Sequence, residues 1–152
     1  GKPLQFHVGL GDRDCDLNRA NPILLLDFLR QSGDTPIVLL HCYPYEREAG
    51  YLAQAFNNVY VDTGLSINHL GARAQAFIAR TMELTPFRKL LYSSDAFGPP
   101  ELHYLGARLW RDGLAAVLAG FVERGQWSPG DAARVAGLIG RENAVRLYGL
   151  QH

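Results

Sequence analysis

Three residues of chemically useful type stand where apolar runs turn polar. His7 follows Leu4-Gln5-Phe6, His41 follows Ile37-Val38-Leu39-Leu40, and Asp95 follows Leu90-Leu91-Tyr92-Ser93-Ser94. Two neutral imidazoles and a carboxylate form a donor set that a divalent cation such as zinc accepts. Taken singly, each has a structural use: His7 could hydrogen-bond in a core, His41 could orient a loop, and Asp95 could cap the helix beginning near Pro99. Their recurrence at strand ends points to a site. Strand alternation groups Gln5 with His7, Ile37 and Leu39 with His41, and Lys89, Leu91 and Ser93 with Asp95. If those faces look into a barrel, all three residues emerge at one mouth, each on a rigid mounting.

The elements that must position them follow from hydrophobic period and punctuation. Short apolar runs rich in β-branched residues predict strands over Leu4–Gly9, Ile37–His41, Val59–Gly64 and Lys89–Asp95, covered on both faces. Between them, amphipathic patterns predict helices from Asn21-Pro22 to Gln31, Glu46 to Phe56 and Gly71 to Leu84. A long helix follows from Pro99-Pro100 to about Val122, then shorter ones from Ser128-Pro129 and from Arg141 to Tyr148. Asn21-Pro22 and Ser128-Pro129 read as an N-cap with proline at the first helical position, Gly33 and Gly149 as C-terminal stops. Four consecutive strand–helix units imply a parallel α/β sheet with right-handed crossovers. The first loop, Gly9-Leu10-Gly11-Asp12, lacks the third glycine of a dinucleotide fingerprint, so a (β/α)8 barrel fits better than a doubly wound nucleotide fold. A whole barrel takes ~250 residues; at 152 residues this chain is one domain, 1–152, amounting to about half of one.

Composition narrows the remaining possibilities. Apolar residues make up 47% and charged residues 20%, with 15 Lys plus Arg against 15 Asp plus Glu. Such a balance gives no field for nucleic acid or an anionic membrane. No apolar run reaches membrane-spanning length, and Gly1-Lys2-Pro3-Leu4 is not a signal peptide. Cys15 and Cys42 read as reduced thiols of a cytoplasmic protein.

Several blocks carry a resemblance: Phe6-His7-Val8-Gly9-Leu10-Gly11-Asp12, Leu39 to Tyr45 with Arg47-Glu48-Ala49, Asn58 to Asp62, Ser93-Ser94-Asp95 and Glu142 to Gly149. In that order they resemble the second half of the amidohydrolase-2 family of metal-dependent TIM-barrel hydrolases. Within it, they resemble the domain fused to glutamine-synthetase-like domains in nodulin-type, fungal and bacterial proteins. The resemblance implies strands 5–8 of the barrel followed by C-terminal helices. It also implies His7 as the fifth-strand metal ligand, and His41 as the sixth-strand histidine, either a second-metal ligand or a proton-shuttling residue. Asp95 corresponds to the eighth-strand aspartate, both metal ligand and proton acceptor. The first-strand His-x-His pair has no counterpart here, so the chain by itself is expected to be an inactive part of a larger enzyme.

The resulting expectations are metal-dependent hydrolysis of C–N bonds in a small-molecule substrate, a divalent metal such as zinc as cofactor, and Asp95 and His41 as catalytic residues. Tyr43 and Arg47, in the loop after His41, are candidates for binding a substrate carboxylate. Non-oxidative decarboxylation on the same scaffold, and a regulatory or assembly domain without chemistry, are the alternatives. Asp62 has a register that alternation does not fix; His69 and His103 read as surface or capping residues. The four-stranded half leaves two sheet edges and exposes Ile37, Leu39 and Leu91, which predicts pairing with the missing half or with a second copy.

Overall fold

A computed structural model of the chain describes residues 2–150; Gly1 and residues 151–152, at the margins of the expected domain, lie outside the described residues. Four strands, β1 (Leu4–Val8), β2 (Ile37–His41), β3 (Val59–Asp62) and β4 (Leu90–Leu91), form one parallel sheet in the order β1-β2-β3-β4. Sequential parallel order is that of neighbouring units of a (β/α)8 barrel, with no reversal of the kind that marks a doubly wound sheet. The intervening helices are α1 (Leu26–Gln31), α2 (Glu46–Ala55), α3 (Ser66–Leu70) and α4 (Ala74–Leu84). After β4 come α5 (Glu101–Glu123), α6 (Pro129–Gly137) and α7 (Asn143–Tyr148), with a π turn over Leu138–Glu142 between the last two.

Local chemistry accounts for most of these boundaries. The Asn21 side chain accepts a hydrogen bond from the Ile23 N–H ahead of a 3-10 turn over Pro22–Leu25, so the expected first helix begins as a tighter turn and becomes α1 only at Leu26. Ser128 accepts from the Asp131 N–H at the start of α6, and Gly149 closes α7 in the left-handed conformation. The third predicted helix, Gly71 to Leu84, begins as a 3-10 turn over Gly71–Arg73 and continues as α4; α3, which sequence periodicity missed, precedes it. The fourth strand is shorter than expected. Leu90 and Leu91 pair with Val61 and Asp62, and β3 ends at Asp62, so the chain from Tyr92 to Asp95 has no ladder to continue.

The register settles which face is which. Phe6, Val8, Ile37, Leu39, Val59, Val61 and Leu90 look toward the helices and pack with Leu52, Phe77, Ile78, Leu114 and Val117 in one core. Ile37 and Leu39 are therefore not the exposed pairing surface expected from alternation; both are fully buried under the helices. Each such side chain contributes ~1.5–3 kcal/mol. A buried Glu46 carboxylate on α2 is paired with Arg80 of α4 within the same layer.

Gln5, His7, Val38, Leu40, Tyr60, Asp62 and Leu91 alternate onto the other face. The C-terminal segment crosses it. The buried Asn143 amide donates to the carbonyls of Phe87 (2.7 Å) and Leu90 (2.8 Å), while the Gln5 amide donates to the Tyr148 hydroxyl (2.8 Å), so α7 ties β4 to β1. Val38 and Leu91 are buried on this face, and Gln5 and His7 on β1 remain exposed.

Candidate active site

His7 sits one residue before the end of β1 and is paired in register with Leu40, while His41 lies opposite Val8. Continued alternation would aim His41 into the helix layer with Leu39. Instead His41 has φ +69° and Cys42 φ +62°, and this left-handed step turns the imidazole to the other face. There the two rings meet edge-on with centroids 4.3 Å apart. Asp95 also has positive φ, +47°, and its Oδ2 lies 3.9 Å from His41 Nδ1. Non-glycine residues in this region cost on the order of 1–3 kcal/mol each and persist where surrounding contacts overdetermine them. Here those contacts include the Ser66 hydroxyl donating to the His41 carbonyl (2.9 Å) and the Cys42 N–H donating to the Val8 carbonyl (3.1 Å).

Glycines let the loops close around this point. A Cβ at Gly9 would lie 2.3 Å from the Tyr43 carbonyl oxygen, and Gly9 adopts φ +73°, so the loops after β1 and β2 touch only because the residue is glycine. At Gly64 a Cβ would meet the Ser93 hydroxyl at 2.1 Å.

Both histidines have one ring nitrogen fixed by a backbone carbonyl. His7 Nε2 lies 2.7 Å from the Leu10 oxygen and His41 Nδ1 lies 3.0 Å from the Gly64 oxygen. A carbonyl only accepts, so these nitrogens carry the protons, and the lone pairs fall on His7 Nδ1 and His41 Nε2. An imidazole held by a carbonyl on one nitrogen and free on the other is the form that ligates metal. The donor chemistry therefore suits a divalent cation. Among the described residues, however, no group of three or more His, Cys, Asp or Glu side chains is gathered closely enough to hold one alone.

A cavity of about 330 Å³ adjoins these groups, lined by Gln5, His41, Asp62, Ser93, Asp95 and Tyr148 among others. Asp62 is the residue whose role sequence left open. Its carboxylate accepts from the Gly64 N–H (2.7 Å) and the Ser93 hydroxyl (2.8 Å), and burial raises its pKa to about 6 against the pull of those bonds. Desolvation lowers the His41 pKa, only partly offset by its bond to the Gly64 carbonyl, so the ring is neutral at pH 7. Ser66 and Tyr148 were not legible as site residues; the one available signal for Asp62 was the polar Asp62-Thr63-Gly64 close of an apolar strand.

The two substrate-binding candidates have partners of their own. The Arg47 guanidinium is held in a two-pronged pair by Glu83 of α4 (2.7 and 3.0 Å), and Tyr43 packs its ring on Phe77 at 6.0 Å. His69 is exposed at the end of α3.

A sequential parallel sheet with two histidines at its carboxyl side and Asp95 beyond its last strand is consistent with part of a barrel-type hydrolase fold. The profile of the family described as Amidohydrolase matches residues 1–150, and this chain belongs to that family. It is 41% identical over 151 residues to "Protein fluG" of Emericella nidulans, covering 98% of this chain and 18% of that protein. It also superposes on the crystal structure of a "putative metal-dependent hydrolase" from Lactobacillus casei with a TM-score of 0.89 and 38% identity. That match covers 97% of this chain and 39% of the other. The chain thus spans well under half the length of either relative. Among the described residues, no helix is long and apolar enough to cross a membrane.

Proposed function

We propose that this chain forms strands 5–8 of a (β/α)8 amidohydrolase that hydrolyses C–N bonds, with His7 and Asp95 as ligands of a zinc ion and His41 beside them. The observation that carries the reading is that His7 near the end of β1 and Asp95, four residues beyond β4, both approach His41, with His41 and Asp95 in left-handed backbone. Zinc, when bound, supplies Lewis acidity toward the scissile carbonyl and toward water. The half-exposed Asp95 carboxylate takes the proton of the attacking water and delivers it to the departing nitrogen. Neutral His41, its Nδ1–H committed to the Gly64 carbonyl, accepts a hydrogen bond at Nε2 and so orients that water. Remaining metal donors come from further strand–helix units paired to the edges of β1 and β4, a reading supported by the greater length of both relatives. The two unpaired thiols suit a reducing, cytoplasmic compartment.

The test uses the protein that includes those further units. Release of amine or ammonia that falls ~10²–10⁴-fold in Asp95→Asn, together with loss of bound zinc in His7→Ala measured by elemental analysis, is the expected result. Carbon dioxide release without amine would assign decarboxylation instead. Full activity after both substitutions would leave a regulatory domain.

A further inference from the structure

Asp95 faces a second cavity besides the one shared with His41 and Asp62. It has a volume of about 320 Å³, lies between α3 and the start of α5, and is walled mainly by Leu65, Ala96, Phe97, Leu102 and Leu105. Phe97 is 90% exposed and Leu105 41% exposed, unusual for large apolar side chains flanking a carboxylate. Its walls come from Leu65 and α3, from the segment after β4 and from α5. Its floor is fixed. Gly106 of α5 is buried where a Cβ would come within 2.8 Å of Asn68 Oδ1, and the Asn68 amide donates to the Ser94 carbonyl (3.3 Å) next to Asp95. The volume lies at the lower end of the range for small-molecule pockets, enough for one ring and its substituents.

Two cavities therefore meet at one carboxylate. One offers Gln5, Asp62, Ser93 and Tyr148 together with Leu40, Leu91 and Ala144; the other, the more apolar, offers leucines and a phenylalanine together with Asn68 and His69. We infer that the apolar cavity receives the non-reacting flank of the substrate, which makes the substrate class an amide joined directly to an aromatic ring or a branched aliphatic group. This inference rests on Asp95 being the proton-transferring residue of the hydrolytic reading. A scissile group placed at that carboxylate has its polar side toward His41, and its other substituent falls between α3 and α5. Burial of a ring there replaces water against Leu65, Leu102 and Leu105.

Binding to the protein that includes the further units, stripped of metal with a chelator, separates the subsite from the hydrolysis. Benzamide and acetamide are titrated while amide NMR signals of Leu65, Asn68, Phe97 and Leu105 are followed. Benzamide is expected to bind at least tenfold more tightly than acetamide. Leu105→Asp and Phe97→Ala, both at exposed positions that leave folding intact, are expected to reduce that preference several-fold or more. Equal affinities, shifts mapping elsewhere, or a preference unchanged in both variants would overturn the inference. So would a change in sedimentation of the variants with no change in binding, which would mark the face as a protein interface. A benzamide preference in a protein with no amine-releasing activity leaves the subsite standing and refutes the hydrolytic reading alone.

Discussion

Asp62 shows at the scale of one residue how burial sets the behaviour of the site. Its carboxyl is nearly inaccessible, and its pKa of about 6 stands above the ordinary 3.8. Because the folded state favours the protonated form, the resulting stability is fully present below about pH 4 and is lost as pH rises through about 6. A shift of ~2 units corresponds to ~3 kcal/mol. Relative to the wild type, Asp62→Asn should therefore gain up to ~3 kcal/mol between pH 4 and pH 7, read from urea unfolding at each pH in the presence of a chelator. A difference that stays constant with pH would show that Asp62 ionises normally. Cys42 gives a simpler contrast. Complete burial pushes its thiol well above the usual range, whereas Cys15 is exposed. Since the thiolate is the nucleophile, iodoacetamide at pH 8 should modify Cys15 and spare Cys42, as peptide mass spectrometry would reveal.

At the scale of elements, the joints between helices and sheet carry polar groups with no access to water. Asn143 at the start of α7 is fully buried and satisfies two carbonyls of the Phe87–Leu90 segment. Asn143→Ala removes both donors and should cost ~2–6 kcal/mol in chemical denaturation, at ~1–3 kcal/mol for each carbonyl left unpaired. Arg80→Ala strands the buried Glu46 carboxylate between α2 and α4 and should cost ~3–5 kcal/mol. The exposed pair of Arg30 with Asp27 on α1 is the control; its loss should change stability by less than ~1 kcal/mol. If Arg80→Ala behaved like Arg30→Ala, the α2–α4 joint would be wetter than its geometry indicates.

At the scale of the whole molecule, β1 and β4 each have a single neighbour, and so each presents an unpaired edge. On the face away from the helices, α7 covers Leu91 and reaches β1 through Tyr148, yet Gln5 and His7 stay exposed. We expect the isolated chain to associate at micromolar concentration through these edges, and sedimentation to show species larger than 16.8 kDa. A sharp two-state monomer would mean that α7 protects the sheet sufficiently by itself. Under the proposed barrel, joining the chain to further strand–helix units should abolish the self-association.

What the sequence determined by itself was local: four apolar runs, the caps Asn21-Pro22 and Ser128-Pro129, the stop at Gly149, and the placing of His7, His41 and Asp95 at the ends of runs. These are written in period and in single-residue preference, which neighbours along the chain suffice to specify. Facing was not. Alternation alone put His41 with Ile37 and Leu39, and those two went under the helices while His41 reached the opposite face through a left-handed turn held by Ser66 and Val8. Arg47 was paired with Glu83, 36 residues distant in sequence, and β4 was cut short because its partner strand ended at Asp62. Contacts between residues far apart in the chain decided each of these outcomes, because a carboxylate's partner, a ladder's length and the tolerance of positive φ depend on what packs alongside.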